Sequence, residues 1–309
     1  MFTGIDIGGT KCAVVIGDER GVQKKIRFET TTCTETLERI FAAVAELGVG
    51  ERIGVSCGGP LDSKRGLILS PPNLPGWDEI PIVKMLEERF GVPAYLCNDA
   101  NACGLAEWKY GAGKGYENVI FLTFGTGMGA GIIANGRLLN GTCGSAGEVG
   151  HLRLAENGPV GFGKRGSFEG FCSGGGLAQL GRTLALEKLQ CGEKTAFCAS
   201  HAELADVTAK SIAEAAFQGD ETAIEVYRLC GEYLGRGLSL LVDILNPEVI
   251  VIGSVFARAE ELLRPSMEAV MKKECLGPSL DVCRVVPAAL GESIGDLAAL
   301  AVALEGERL

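Results

Sequence analysis

Two stretches of the sequence share one pattern, in which a glycine-rich turn separates two apolar segments. In the first stretch, strands are predicted at Gly4–Ile7 and Cys12–Ile16. In the second, a strand at Val119–Thr123 is followed by the turn Gly125–Gly131 and by a short strand from Ile132. The second stretch looks like a copy of the first. The chain is therefore expected to fold as two α/β lobes that each open with strand, turn and strand.

Periodicity in the rest of the chain supports this alternation of strands and helices. Further strands are predicted over residues 53–57, 93–97 and 249–253, and helices over 36–47, 83–90, 102–109, 202–219, 221–245 and 293–304. The glycine-rich segment 141–176 is predicted to form long loops. A chain of 309 residues suits two domains. We predict an N-terminal lobe over 1–112, a C-terminal lobe over 113–292, and a last helix over 293–309 that returns to the N-terminal lobe.

Charge and cysteine usage narrow the classes of partner. The formal net charge of −10 repels nucleic acid and anionic membrane surfaces, so neither is expected to bind. No apolar run reaches the roughly 18 residues of a membrane-spanning helix. The twelve cysteines include no C-x-x-C pair, and the first residues do not resemble a secretory signal. We therefore expect a cytoplasmic protein whose cysteines are mostly small buried side chains.

The two glycine turns carry residues that suit phosphate binding. The first reads Asp6-Ile7-Gly8-Gly9-Thr10-Lys11, and the second contains Gly125-Thr126-Gly127. Glycines let backbone N–H groups approach phosphate oxygens, and the threonines add hydroxyl donors. Either turn alone could be an ordinary hairpin, but two of them at the start of two similar halves indicate a nucleotide site. Asp6 is suited to holding Mg²⁺ through water.

Two other nucleotide-binding motifs are missing from the sequence. No G-x-x-x-x-G-K-[ST] segment exists, which excludes a P-loop as written. Gly127 and Gly129 lack the third glycine of a dinucleotide fingerprint, and a strand is predicted after them where the fingerprint requires a helix. A dehydrogenase is therefore not expected.

The pair Asn98-Asp99 follows one predicted strand and precedes a helix. Ligands of α/β lobes bind at that end of a strand. Asp99 could simply cap the helix. Phosphoryl transfer to a hydroxyl, however, needs a carboxylate that accepts the hydroxyl proton, and Asp99 is the candidate for this base.

Glu148, His151 and Glu169 lie in the glycine-rich segment. Adjacent sugar hydroxyls need both donors and acceptors, and closely spaced carboxylate and imidazole groups provide them. Each residue alone could be a solvated loop charge or a structural histidine. The other histidine, His201, lies in a polar helical stretch without comparable neighbours, so His151 is the candidate sugar ligand.

With these residues assembled, the chain resembles the ROK family of bacterial sugar kinases and sugar-responsive repressors over nearly its whole length. Both turns and Asn98-Asp99 are similar to the family's phosphate motifs and catalytic pair. Gly147-Glu148-Val149-Gly150-His151 is similar to the family signature and is the most specific of these segments. Asn73-Leu74-Pro75-Gly76-Trp77 resembles a loop close to the sugar, and Val251-Ile252-Gly253-Ser254-Val255 resembles a strand and turn on the nucleotide side.

The resemblance implies an actin-like (ribonuclease H-like) ATPase fold of two α/β lobes with a central cleft. It implies ATP-dependent phosphorylation of a hexose, with the 6-hydroxyl of glucose as first choice, Asp99 as base, and ATP and Mg²⁺ as cofactors. The implied sugar ligands are Asn73, Asn98, Glu148, His151 and Glu169. The implied nucleotide ligands are Asp6, Gly8, Gly9, Thr10, Lys11, Gly125, Thr126, Gly127, Ser173, Gly174, Gly253 and Ser254. A homodimer is implied by the resemblance alone.

The sequence departs from the family pattern at two places. The family's zinc-binding segment, C-x-C-G-x-x-G-C-x-E, carries Val160, Phe162 and Ser167 here at its three cysteine positions. Structural zinc normally takes four Cys or His ligands, and the resemblance implies that only His151 of the family's four is kept here. We therefore predict a protein without structural zinc. We further expect Val160 and Phe162 to pack as a small apolar plug that leaves His151 free for the sugar. Ser254 stands where members usually carry another glycine.

Three alternatives to a glucose kinase stay open. The acceptor could be another sugar, such as mannose, allose, fructose or N-acetylmannosamine. The chain could be a sugar-responsive regulator, although the first phosphate strand begins at Gly4 and we expect no DNA-binding helix-turn-helix before it. It could also be a non-catalytic sugar-binding protein, an interpretation that the intact Asp6, Thr10 and Asp99 disfavour.

Overall fold

The computed structural model describes residues 1–308, which form a mixed α/β structure with two five-stranded sheets. The strands are β1 (Phe2–Ile7), β2 (Lys11–Asp18), β3 (Gly21–Glu29), β4 (Ile53–Cys57), β5 (Leu61–Asp62), β6 (Leu67–Ile68), β7 (Ala94–Asn98), β8 (Val119–Leu122), β9 (Ala130–Ala134), β10 (Arg137–Leu138), β11 (Val160–Gly161), β12 (Lys164–Arg165), β13 (Val249–Ile252) and β14 (Arg284–Pro287). The helices are α1 (Cys33–Leu47), α2 (Ile82–Phe90), α3 (Asp99–Tyr110), α4 (Phe168–Phe171), α5 (Gly174–Gln190), α6 (Ala209–Phe217), α7 (Glu221–Leu245), α8 (Val255–Glu274), α9 (Gly277–Val282) and α10 (Ile294–Glu305). None of the helices within residues 1–308 has the length and apolar character needed to cross a membrane.

The first sheet has the strand order β3, β2, β1, β4, β7. β1, β4 and β7 are parallel, whereas β2 pairs antiparallel with both β1 and β3. Its central strands are apolar and buried, as Ile5, Val14 and Val55 show, because both faces of this sheet are covered. The second sheet has the order β10, β9, β8, β13, β14, and β13 and β14 in it are parallel.

The chain divides into two compact units. The first unit comprises residues 1–121, 131–147 and 288–308, and the second comprises residues 122–130 and 148–287. The lobe boundaries expected from the sequence, 1–112, 113–292 and 293–309, stay a prediction.

In the first unit, the last helix α10 lies against the first sheet. Leu300 and Val302 of this helix are fully buried, and the helix is apolar nearly all round, which is typical of a helix enclosed by protein. The approach is so close that a Cβ atom on Gly4 would lie 2.7 Å from the Leu300 backbone nitrogen. Glycine at this position therefore allows α10 to cover β1, the strand that carries Asp6.

In the second unit, the long helix α7 packs against α5 and α8. Val226, Leu234 and Leu238 are fully buried and recur at helical spacing, which explains why α7 presents one continuous apolar face to its neighbours. The residues that precede α5 and α8 are Ser173 and Ser254. The helical layer therefore positions two of the expected nucleotide ligands.

Two predicted elements have the predicted bounds, Ile53–Cys57 and Glu221–Leu245. β3 was not predicted, because residues 23–25 in its middle are polar and exposed. α5 and α8 were not predicted either, and α8 contains Pro265, a residue that normally interrupts helices. The helix predicted over 202–219 is broken before α6, where the Thr208 side chain caps a new helix.

Candidate active site

Two of the predicted acidic residues lie at one edge of the first sheet. Asp6 on β1 pairs with Ser56 on β4, and Ser56 pairs with Cys97 on β7. All three strands are parallel, so their carboxyl ends meet at the same edge. Asp99 comes two residues after Cys97 and begins α3. The first unit thus brings the expected metal ligand and the expected base to neighbouring strand ends.

Asn98 and Asp99 both take part in starting α3. The Ala100 backbone N–H donates to Asn98 Oδ1 at 3.0 Å and to Asp99 Oδ1 at 2.8 Å. Helix capping, the alternative considered from the sequence, is therefore part of what these side chains do. It uses one oxygen of Asp99, and the residue as a whole is exposed. The protein around the carboxylate still removes part of its hydration, and this desolvation raises the pKa of Asp99 above its ordinary value, which makes it a stronger base than a fully hydrated aspartate.

Asp6 lies among other negative charges. Burial raises the pKa of Asp6 to about 6, and the charges of Asp296 and Asp99 act in the same direction. Asp296 is itself buried on α10 and forms an ion pair with Lys25 of β3. This concentration of negative charge fits a divalent cation, whose binding would relieve the repulsion. Among residues 1–308 no three side chains form a ready-made metal cage, and Mg²⁺ held through water and phosphates needs none.

Asp296 was missed from the sequence. In its helix, Ile294–Glu305, the only other charged residue is Glu305 at the last position, and an acidic residue at a buried position is rarely there for packing alone. That charge within an apolar run was the available signal.

The first phosphate turn is held by Thr30, the residue that follows β3. The Gly8 N–H donates to the Lys11 carbonyl oxygen at 3.2 Å, and the Thr30 hydroxyl donates to the Gly8 carbonyl oxygen at 2.6 Å. A Cβ atom on Gly9 would lie 2.6 Å from the Asn73 carbonyl oxygen. The structure therefore brings the Asn73 loop, which the sequence linked to the sugar, into contact with the first phosphate turn.

The second phosphate turn contacts one of the expected sugar ligands. The Gly129 N–H donates to the Thr123 hydroxyl at 2.8 Å, which closes the turn. The Met128 N–H donates to Glu169 Oε2 at 2.9 Å. A Cβ atom on Gly127 would lie 2.8 Å from the same carboxylate oxygen. Glu169, an expected sugar ligand, therefore contacts the turn that is expected to bind phosphate.

A cavity of about 560 Å³ lies beside this turn within the second unit. Four of the expected nucleotide ligands line it: Gly125, Thr126, Gly174 and Ser254. The other lining residues were not predicted and come from four helices and the residues between them; they include Arg182, Val207, Lys210, Phe217, Tyr227 and Arg258. No motif in the sequence marked them, since each is one position on an otherwise ordinary amphipathic helix or loop.

Ser173 and Gly253 have supporting positions behind that cavity. The Ser173 hydroxyl is buried and accepts from the Gly176 N–H at 3.0 Å, so it caps α5. The Gly253 N–H donates to the Leu122 carbonyl oxygen at 3.0 Å. Each of these residues is followed in the chain by one that lines the cavity, Gly174 after Ser173 and Ser254 after Gly253.

Glu148 and His151 lie at the start and end of a single 3₁₀ turn and are exposed. The His151 N–H donates to the Glu148 carbonyl oxygen at 3.2 Å. Gly150 between them packs on the Met128 carbonyl oxygen, so the second unit brings this turn against the second phosphate turn. The segment 141–176 is loop-rich as predicted, although it also contains this turn, a short hairpin and α4.

The expected apolar plug of Val160 and Phe162 is wrong. Val160 is 40% exposed and Phe162 is 78% exposed. Both belong to the hairpin β11–β12, whose turn projects Phe162 outward with a φ of 44°, so neither side chain is enclosed. The residues at the former cysteine positions also do not fit zinc, because two are hydrocarbons and the Ser167 hydroxyl already accepts from the Gly170 N–H at 3.0 Å.

Known proteins match this chain over nearly its whole length. A model of the ROK family matches residues 2–305. The glucokinase of Streptomyces coelicolor is 32% identical over an alignment that covers 99% of this chain and 98% of that protein. The crystal structure of a ROK hexokinase from Thermus thermophilus is 31% identical, covers 99% of both chains and has a TM-score of 0.82. A ROK family glucokinase from Streptomyces griseus, in complex with glucose and AMPPNP, is 30% identical with the same coverage and a TM-score of 0.76.

The fold class predicted from the sequence is the fold class of the solved relatives. The likeness to these two solved enzymes extends over nearly the entire chain, so the predicted fold class, an actin-like ATPase fold, is confirmed. Because the family model spans residues 2–305 and the relatives exceed 30% identity at nearly full coverage, the chain belongs to the ROK family.

Proposed function

We propose that this ROK sugar kinase transfers the γ-phosphoryl group of ATP to a hexose hydroxyl, the 6-hydroxyl of glucose in the first instance, with Asp99 as general base. The observation that carries the proposal is the position of Asp6 and Asp99 at one edge of the first sheet. One carboxylate suits a cation that accompanies a triphosphate, and the other suits proton abstraction. The glucose and AMPPNP complex of the Streptomyces griseus relative supports the same pair of ligands.

Asp99 takes the hydroxyl proton as the sugar oxygen attacks the γ-phosphorus. The bond from that phosphorus to the oxygen bridging it to the β-phosphate breaks, and ADP leaves with the electron pair. The raised pKa of Asp99 helps this step, because a base is most effective when its pKa approaches the working pH. Mg²⁺ bound near Asp6 would supply charge neutralisation for the β- and γ-phosphates.

The remaining residues are assigned to binding. Asn73, Asn98, Glu148, His151 and Glu169 are proposed to bind sugar hydroxyls, since together they offer both donors and acceptors. The cavity of the second unit is proposed to hold the nucleotide base, because its apolar lining, which includes Val207 and Phe217, suits a flat aromatic ring. Gly8 to Lys11 and Gly125 to Gly127 are proposed to bind phosphates. The homodimer and the cytoplasmic location stay predictions.

An assay of ADP release with ATP, Mg²⁺ and a sugar panel tests the proposal. The panel contains glucose, mannose, allose, fructose and N-acetylmannosamine, and we expect the highest kcat/KM with glucose. Phosphorus NMR of the product should place the phosphate on the 6-oxygen. The Asp99→Asn variant, purified in the same way, controls for contaminating kinases. Sugar binding without turnover of any sugar would support the non-catalytic interpretation instead, and a higher kcat/KM with another sugar would reassign the acceptor.

A further inference from the structure

The hairpin β11–β12 lies beside His151 in the second unit. Two residues, Phe162 and Gly163, connect its strands. This hairpin occupies the segment where the family pattern has zinc-binding cysteines, and its own residues supply no thiolate. The hairpin nevertheless contacts His151 at two points.

The first contact is between rings. The Phe162 ring meets the His151 imidazole edge to face, with centroids 5.3 Å apart and an angle of 81° between the planes. This is a preferred geometry for aromatic pairs. Phe162 is 78% exposed and has a φ of 44°, a backbone conformation that bulky residues rarely adopt. Core packing therefore does not account for a phenylalanine here, whereas the contact with His151 does.

The second contact is with the backbone of the same residue. Lys164 Nζ donates to the His151 carbonyl oxygen at 2.5 Å. A charged donor makes a stronger hydrogen bond to a carbonyl than a neutral one does. The hairpin thus holds both the ring and the main chain of His151.

The hairpin itself is anchored without a metal. Gln179 of α5 holds both backbone groups of Val160, accepting from its N–H at 2.9 Å and donating to its carbonyl oxygen at 2.8 Å. Arg153 donates to the Arg165 carbonyl oxygen at 2.6 Å. Both ends of the hairpin are therefore fixed to neighbouring elements, and its turn can hold a partner in place.

We infer that this hairpin fixes the His151 imidazole in place of a metal ion, and that Phe162 and Lys164 are positioning residues for sugar binding. The inference rests on the proposed function in taking His151 as a sugar ligand. The edge-to-face contact restricts rotation of the imidazole about its side-chain bonds, so its nitrogens are presented in one orientation. A ligand group held in its bound orientation before binding loses less conformational entropy.

Kinetics of Phe162 variants test the ring contact. Phe162→Ala should raise KM for glucose about three- to tenfold, the range that corresponds to one aromatic pair, with kcat nearly unchanged. The Tm should change by less than about 2 °C because the ring is exposed. Phe162→Trp keeps a ring and should retain the wild-type KM. Ile244→Ala removes an apolar side chain of similar exposure, 72%, and is the matched control. A wild-type KM in Phe162→Ala would overturn the inference.

A double-mutant cycle separates positioning from direct contact with the sugar. If Phe162 acts through His151, the variant Phe162→Ala/His151→Gln should have the same KM as His151→Gln alone. Additive losses would mean that Phe162 acts on its own and would overturn the inference. Lys164→Met should raise KM in the same direction, and Lys164→Arg, which keeps the charged donor, should restore it.

Proton NMR of the imidazoles gives a readout that needs no sugar. The chain has only two histidines, and His201 lies in a separate 3₁₀ helix, so it serves as an internal reference. Phe162→Ala should shift the His151 ring signal, because the ring current of Phe162 is lost, and should leave the His201 signal in place. An unmoved His151 signal would overturn the inference even in an active enzyme. A shifted signal in a protein that phosphorylates no sugar would support the positioning of His151 by the hairpin and would contradict only the proposed function.

Discussion

The two glycine turns look alike in the sequence but are held in different ways. The first turn, in the first unit, is fixed mainly from one side, by the Thr30 hydroxyl that donates to the Gly8 carbonyl oxygen. Its residues Gly9, Thr10 and Lys11 are exposed. On its other side Gly9 lies against the Asn73 backbone, where an added Cβ atom would be 2.6 Å from the carbonyl oxygen. This turn is an open loop next to an acidic strand end.

The second turn, in the second unit, is bonded to three separate segments. The Gly125 carbonyl oxygen accepts from the Gly174 N–H at 2.7 Å, and the Phe124 carbonyl oxygen accepts from the Val255 N–H at 2.8 Å. Its Met128 N–H donates to Glu169. A change in the first turn should therefore stay local, whereas a change in the second should reach the loops that are proposed to bind the sugar. The predictions below test that difference.

The largest effect is expected at the acidic edge of the first unit. Asp99→Asn keeps the size of the side chain and an oxygen that can accept from the Ala100 N–H, but it removes the base. We expect kcat to fall by about 10² to 10⁴, with the Kd for glucose, measured by calorimetry, changed by less than about threefold. Nucleotide binding should be unaffected, because the residues of the cavity proposed for the nucleotide base belong to the second unit. Wild-type turnover in this variant would show that another group is the base.

The next effect concerns Glu169, a proposed sugar ligand whose carboxylate accepts from the Met128 N–H of the second turn. Glu169→Ala should raise KM for both glucose and ATP, each by about tenfold, because a charge-assisted hydrogen bond to Met128 is lost together with a sugar ligand. Glu148→Ala, the matched control, should raise KM for glucose alone. Glu169→Gln can still accept from the Met128 N–H and should keep the wild-type KM for ATP. If Glu169→Ala left that KM unchanged, the turn and the sugar loops would not be coupled.

Candidate residues of this site could be proposed from the sequence where each lies in a short local motif. Asp6, Asp99 and Glu148 each sit next to a strand end or a glycine, so local pattern was enough to nominate them, and their roles stay predictions. Phe217 and Arg258 line the cavity that is proposed to hold the nucleotide base. They come from separate helices, and nothing local distinguishes them from other helix surface residues. Packing between segments that are distant in the sequence decides which helices come together. The pattern of a single segment does not predict it.

The wrong prediction of an apolar plug has a related cause. Composition identified Val160 and Phe162 as apolar but did not show where their side chains point. Phe162 occupies a tight turn with a positive φ, and this backbone conformation turns the ring outward to His151. Sequence spacing predicts the face of a long strand or helix, whereas it says little about a hairpin with two-residue strands.

Glycine substitutions should separate the two turns more finely. A Cβ atom on Gly9 would meet the Asn73 backbone at 2.6 Å, and one on Gly127 would meet the Glu169 carboxylate at 2.8 Å. Overpacking of this kind costs about 1 to 3 kcal/mol of stability, so both variants should have a lower Tm. Gly127→Ala should in addition raise KM for glucose several-fold, about as expected for a displaced ligand.

The control for this pair is Gly277→Ala. A Cβ atom at Gly277 meets nothing within 4 Å, so this variant should retain the wild-type Tm and KM values. Thermal melts and steady-state kinetics on the three variants decide the comparison. An equal rise of the glucose KM in Gly9→Ala and Gly127→Ala would contradict the idea that only the second turn is coupled to the sugar loops.

The smallest effect is expected from a zinc chelator. We predict that it has no effect, because the chain should hold no structural zinc. Thiolates contribute most of the binding energy of a structural zinc site, and Val160, Phe162 and Ser167 supply none. The nearby Cys172 is a poor substitute, because burial raises the pKa of its thiol well above the ordinary value and keeps it protonated. A chelator selective for zinc over magnesium should leave kcat and Tm unchanged, and elemental analysis should find far less than one zinc per chain.

The variant Val160→Cys/Phe162→Cys/Ser167→Cys is the positive control, because with His151 it has the four ligands of the family pattern and should bind about one zinc per chain. One tightly held zinc in the natural chain, or inactivation that zinc alone reverses, would show that His151 is held by a metal after all and that the hairpin is not its substitute.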